Sequence, residues 1–225
     1  NDSDKSYAHK DQALELFTRY WANPGYASGG EPGVWCRFRR GRVEFFMLDG
    51  RFHRDPQEQE PDAFKTQFGE AQWRWLEACL GASDADFKVL CSPAQVLADY
   101  HSYEGWWSYP ADRERLLRLV TESRIDGLVL LSGDRHIGEV LVGDQLGYPL
   151  YEFCSSPLAA GIGSRPPDEL PGRVPGTLVT VENFGLLRFE FSAPGGPRLR
   201  YAAHDVRGAA LHPEVVVPLA ALRWP

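Results

Sequence analysis

Apolar positions recur at helical and strand periods in alternation up to about residue 136, and at strand period alone beyond it. Leu14, Phe17 and Trp21 predict an amphipathic helix over 12–21, broken by Asn23-Pro24-Gly25. Residues 42–48 predict a strand that turns continuously apolar, as one buried on both faces does. Residues 53–64 are charged, carry Pro56 and Pro61, and predict an exposed loop. Trp73, Leu76 and Leu80 predict a helix over 70–80 closed by Gly81, and 87–91 predicts a short strand. A Trp-rich loop (99–109) leads to Pro110, which suits the first turn of a helix running to about Glu122. A second fully apolar strand, 126–131, ends abruptly at Ser132-Gly133-Asp134-Arg135-His136.

After Glu139 only short alternating strands are expected: 139–142, 148–153, 177–181, 186–191, 199–203 and 215–218. A Gly/Pro-rich loop, 161–175, interrupts them. Helices alternating with strands argue for an α/β layered fold. No linker is visible, so residues 1–225 read as one domain with a helix-bearing half (about 1–136) and a β-rich half (about 137–225).

The chain of 225 residues is 43% hydrophobic and 24% charged, a globular composition that excludes wholesale disorder. Its net charge of −7 disfavours a sequence-independent nucleic-acid binder, which needs a basic face. No run approaches the roughly 18 apolar residues of a membrane span. Cys36, Cys79, Cys91 and Cys154 form no CxxC pair and read as buried small hydrophobes, with a disulfide as the alternative.

Ligands of open α/β sheets bind at the carboxyl ends of strands, which singles out Gly133-Asp134-Arg135-His136. In extended backbone Asp134 and His136 would face one site and Arg135 the opposite side. A carboxylate and an imidazole suit a two-metal centre; a polar turn is the competing reading. Asp49 and Arg51 end the earlier strand in the same manner, and the planar fork of Arg51 matches phosphate oxygens. Taken alone, that pair reads better as a salt-bridged strand end. Tyr100, Tyr103, Trp106, Trp107 and Tyr109 are either an aromatic wall or core packing under a loop. No G-x-S-x-G elbow or Walker A sequence is present, and Gly161-Ile162-Gly163-Ser164-Arg165-Pro166 lacks the third glycine of a dinucleotide loop.

Taken together, the segments resemble the PhoD-like alkaline phosphatases of the calcineurin-like metallophosphoesterase superfamily. Asn1-Asp2-Ser3-Asp4-Lys5 is similar to the end of that family's Asp-Asp-His-Asp…Asn-Asp-Ser-Asp stretch, and 43–51 to its strand ending in Leu-Asp-x-Arg. Gln72-Trp73-Arg74-Trp75-Leu76 with Ala85-Asp86-Phe87-Lys88, then Gln95 and Trp107-Ser108-Tyr109-Pro110, follow in family order. Ser132-Gly133-Asp134-Arg135-His136, Ser155-Ser156-Pro157-Leu158 and Asn183-Phe184-Gly185 complete the series.

The resemblance implies a four-layer α/β/β/α metallophosphatase sandwich. It implies a centre of iron with calcium, or another two-metal set, hydrolysing small phosphomonoesters or phosphodiesters by in-line attack of a metal-bound hydroxide. Asp134 and His136 inherit metal ligation, Asn1 is implied as a ligand or phosphate contact, and Arg51 as a substrate contact. The family's earlier ligand motifs would precede Asn1, so the chain looks like the C-terminal portion of such an enzyme, lacking the N-terminal part of the sandwich. Arg135 replaces a valine usual in the family and Cys154 a threonine. Export to the periplasm or beyond is implied for the family. The rivals are a non-catalytic binding module that kept the scaffold, and a glycosidase working through carboxylates such as Asp49, Glu104 and Asp134.

Overall fold

The computed structural model describes residues 3–27 and 30–225. Helix α1 (Lys10–Tyr20) opens the chain, followed by strands β1 (Cys36–Arg40) and β2 (Val43–Met47), helix α2 (Gly69–Gly81) and strand β3 (Phe87–Cys91). A short 3-10 turn (Trp106–Ser108) leads into α3 (Pro110–Glu122), then β4 (Leu128–Ser132), β5 (Glu139–Gly143) and β6 (Leu150–Cys154). Strands β7 (Phe184–Glu190), β8 (Arg198–His204) and β9 (Val215–Pro218) close the fold before a final 3-10 turn at Leu219–Leu222.

The first six strands form one sheet in the order β1-β2-β3-β4-β6-β5. Its centre is parallel, with Phe46 opposite Leu90 and Leu90 opposite Leu130. Those strands are mostly apolar because both faces are covered, the condition that parallel sheets require, and their charged exceptions Glu44 and Lys88 are buried. The antiparallel sheet β7-β8-β9 packs on one face: Phe189 meets Phe45 and Phe87, and Tyr201 meets Phe153 with ring centroids 4.7 Å apart.

On the other face α2 and α3 bring Trp73, Leu76, Leu80, Leu116 and Val120 into the same core. Buried Asp112 ties the two helices together, accepting from the Trp73 indole at 2.6 Å and from the Gln67 amide at 2.6 Å. Helices, large sheet and small sheet are three of the four expected layers. The outer face of the small sheet carries a charge ladder instead, in which Glu190 pairs with Arg198 and Arg200, and Glu214 with Arg188 and Arg200.

Two expectations change. Residues 177–181 make no strand; Val179 exchanges two hydrogen bonds with Gly138, at 2.7 and 2.8 Å, and pairing stops there. The reason is next door: the Thr177 hydroxyl turns inward to receive the Val140 amide, and Asn183 leads the chain away into β7. Conversely β1, with its Arg-rich sequence, is an edge strand paired antiparallel to β2 through a turn at Gly41, whose φ is 59°.

The Gly/Pro-rich loop is pinned at Arg173, whose guanidinium is buried against Glu139 at 2.7 Å. The four cysteines form no disulfide. Glu152 of β6 is fully buried and receives the amides of Val96 and Leu97 at 2.8 and 2.7 Å; burial pushes its carboxyl up to about 7.

Candidate active site

The strands β2, β3, β4 and β6 run the same way, so their carboxyl ends gather on one side of the sheet. The segments leaving β2 and β4 build the site.

After β2 the chain must turn sharply, and Asp49 makes the turn. Its buried carboxylate accepts the amides of Val34, Arg51 and Phe52 at 3.0, 2.9 and 3.1 Å. The Gln72 side chain of α2 brackets the Asp49 backbone, donating to its carbonyl and accepting from its amide, each at 2.8 Å. Asp49 is therefore a turn-former, and it borders with Arg51 a separate pocket against α1.

Arg51 points outward to Glu104 of the Trp-rich loop, which grips it with both oxygens at 2.8 and 2.7 Å. The same Glu104 takes Arg54, only 1% exposed, at 2.7 Å, and Arg54 also donates to the Tyr109 hydroxyl at 2.8 Å. Burial works to raise the Glu104 carboxyl, and the two guanidiniums outweigh it and hold the group below its usual value. Both Arg51 terminal nitrogens are engaged, one of them also by the Ser3 carbonyl at 3.4 Å. The Nε–H and one Nη2–H remain, which is the side-on fork of a guanidinium.

After β4 the backbone is not extended. Asp134 and His136 both adopt the left-handed region, with φ of 67° and 56°, which Asp and His tolerate better than most residues. The expected strand-like alternation is replaced by a coiled turn, yet Asp134 and His136 still border one cleft, and Arg135 borders it with them. The His136 amide donates to Ser156 Oγ at 2.8 Å, and its Nδ1 lies 2.6 Å from the Gly161 carbonyl. A carbonyl only accepts, so Nδ1 carries a proton, and in the neutral ring Nε2 is the nitrogen with the lone pair. Nε2 has no hydrogen-bond partner among the described residues, and neither has the Asp134 carboxylate. Partial desolvation and the nearby charge of Glu104 raise the Asp134 carboxyl.

This cleft, about 460 Å³, also exposes Gln57, Glu58, Tyr103 and Glu104. A glycosidase pair finds no support in it: Glu104 is gripped by two arginines and Asp49 by backbone amides.

The sequence reading missed two contributors. Asn183 is buried and staples the Ser155–Pro157 segment, donating to Ser156 O at 2.7 Å and accepting from Ser155 Oγ at 2.8 Å. It thereby fixes the serine that holds His136. Gly163 donates its amide to the His136 carbonyl at 2.9 Å, and a Cβ there would lie 2.4 Å from the Arg135 carbonyl oxygen. The aromatic loop divides: Trp106 and Tyr109 enter the core, while Tyr103 and Trp107 border the clefts. Asn1 lies outside the described residues. Among the described residues no group of three or more His, Cys, Asp or Glu side chains could hold a metal ion.

The family model described as PhoD-like phosphatase matches residues 5–187. The chain belongs to the PhoD-like phosphatase family. Alkaline phosphatase D of Bacillus subtilis (strain 168) is 27% identical over 128 residues, covering 48% of this chain and 22% of that protein. A solved structure of PhoD superposes with a TM-score of 0.61 at 19% identity, covering 91% of this chain and 48% of the other. Purple acid phosphatase from yellow lupin (Lupinus luteus) seeds superposes at 0.54 with 11% identity, over 82% of this chain and 32% of the other. The fold is thus that of the metallophosphatases. The chain spans about half the length of the solved PhoD and about a fifth of the curated relative. Among the described residues no helix is long and apolar enough to cross a membrane.

Proposed function

We propose that the protein hydrolyses small phosphomonoesters or phosphodiesters in the cleft after β4, using metal ions for which Asp134 and His136 provide two ligands. The observation that carries this reading is the state of His136. Its Nδ1–H is tethered to a backbone carbonyl while Nε2 has no partner among the described residues, the arrangement that orients a metal-binding imidazole. The unpartnered Asp134 carboxylate borders the same cleft. These two donors fit part of a ligand set, and the described residues supply no third. Asn1, outside the described residues, is a candidate for a further ligand. Iron with calcium, or another two-metal set, suits the mixed oxygen and nitrogen donors.

When bound, such ions supply Lewis acidity toward a phosphoryl oxygen. The chain's own residues do the rest. Arg51, held in place by Glu104, offers its side-on fork to a phosphoryl group. Ser156, Gly161 and Asn183 keep His136 aligned. Export follows from the family likeness and is read by cell fractionation.

The test uses the longest native form of the protein. Turnover of p-nitrophenyl phosphate and bis-p-nitrophenyl phosphate should be lost on chelation and restored by added metal. Turnover that survives chelation, or its absence with metals bound in stoichiometric amount, would overturn the reading. The second result would favour a binding module on the same scaffold.

A further inference from the structure

Beside the cleft of Asp134 and His136 opens a second one, about 690 Å³, and Arg135 borders both. Arg135 is only 5% exposed, yet among the described residues its guanidinium makes no hydrogen bond and no ion pair, and its Nε is buried without a partner. It lies over the Tyr103 ring at 4.5 Å, an attraction that holds the plane of the group and leaves its N–H edges unused. Every other arginine this buried is paired: Arg54 with Glu104, Arg173 with Glu139.

A second orphan faces the same space. Among the described residues neither ring nitrogen of His101 has a hydrogen-bond partner, and burial, with the positive Arg135 beside it, pushes its pKa down to about 4, which favours the neutral ring. Ser164, Arg165 and Asp99 also line this space; Ser164 is linked to the Tyr103 hydroxyl at 2.9 Å, and Arg165 is paired with Asp168. A cation stripped of water and left unpaired is costly, and a neutral imidazole and a hydroxyl nearby add donors without adding charge. Such a site is completed by an oxyanion that presents two oxygens to the guanidinium edge.

We propose that Arg135 is the centre of an oxyanion subsite that accepts a second carboxylate or phosphate on the substrate, beyond the phosphoester being cleaved. This rests on the reading of the first cleft as the hydrolytic site. Arg135, following Asp134 directly, would select substrates carrying two anionic groups over those carrying one.

The probes are 3-phosphoglycerate and glycerol 3-phosphate, which differ in a carboxylate. In the longest native protein, the ratio of their kcat/KM values should fall about 10- to 100-fold in Arg135→Met, as expected for loss of a charged hydrogen-bonding pair. Arg135→Lys, which keeps charge without the fork, should fall between the two. It also carries the test if the methionine variant fails to fold. The same ratio taken from dissociation constants of the chelated protein, by calorimetry, separates the two ideas. If neither these compounds nor the two nitrophenyl esters are turned over with metals bound, but the binding ratio still depends on Arg135, the subsite stands and the hydrolytic reading falls. If turnover is robust and Arg135→Met leaves both ratios in place, the subsite is overturned and Arg135 is a packing residue of Tyr103.

Discussion

His136 Nδ1 and the Gly161 carbonyl meet at 2.6 Å across 25 residues of sequence. The contact joins the turn after β4 to the Gly/Pro-rich loop, and it decides which nitrogen of the ring faces the cleft. The loop owes its position to Gly163, whose missing side chain lets it lie against the Arg135 and His136 backbone.

Gly163→Ala should therefore act on His136 at a distance. The new Cβ would collide with the Arg135 carbonyl oxygen and push the loop off the imidazole. Outer-sphere partners of a metal-binding histidine are worth about 10- to 100-fold in metal affinity. Competition with a chromophoric chelator in the longest native protein should show a loss of that size. Unaltered affinity would separate the loop from the site.

Asp134→Asn and His136→Ala should each cost both bound metal and phosphodiester turnover. The double variant should cost little more than the worse single one, because groups that act as a unit are not additive. Elemental analysis and initial rates decide it. Full metal occupancy with near-normal turnover in His136→Ala leaves only the polar-turn reading.

Arg51 and Glu104 share a bidentate pair but should fail differently when changed. Arg51→Lys loses the fork at a half-exposed position, so turnover of bis-p-nitrophenyl phosphate should drop roughly 10-fold while the melting temperature moves by no more than about 2 °C. Glu104→Gln strands the buried Arg54 cation, which should cost about 3 kcal/mol, or roughly 6–12 °C in this size range. A stability loss in Arg51→Lys with normal kinetics makes Arg51 a structural partner only.

These contrasts mark what could be read from the chain. The apolar stretches at 45–48 and 128–131 announced strands covered on both faces, because such strands carry few polar positions to confuse the period. Strand β1 was illegible for the opposite reason: Arg37, Arg39 and Arg40 face solvent or Glu44 and Asp84 on an edge. Asp134 and His136 could be named from their place after a buried strand, but not their left-handed backbone, which depends on Ser156 and Gly163 arriving from far along the chain. Glu104 lies 53 residues from Arg51, and no local pattern joins them. The bracing role of Asn183 is likewise a matter of tertiary contact, since its turn position alone gives it no partner.

Glu152 makes stability depend on pH in a direction unusual for a carboxylate. Its carboxyl is raised by burial from an ordinary 4.5 to about 7, with the neighbouring charge of Glu139 adding to the effect and the amides of Val96 and Leu97 opposing it. Between those values the folded state holds a proton that the unfolded chain has released. Stability from this group is thus complete below pH 4.5 and is lost as the pH rises through about 7. The shift corresponds to about 3 kcal/mol across the window. Glu152→Gln cannot ionise, and its amide presents one oxygen to two backbone donors, so it should be less stable than the parent at pH 5. That deficit should shrink by about 3 kcal/mol by pH 8, because only the parent must carry a buried charge there. Urea unfolding of both proteins at pH 5, 6, 7 and 8 measures the difference. Parallel curves would mean that Glu152 is already ionised throughout, with its charge held by the two amides.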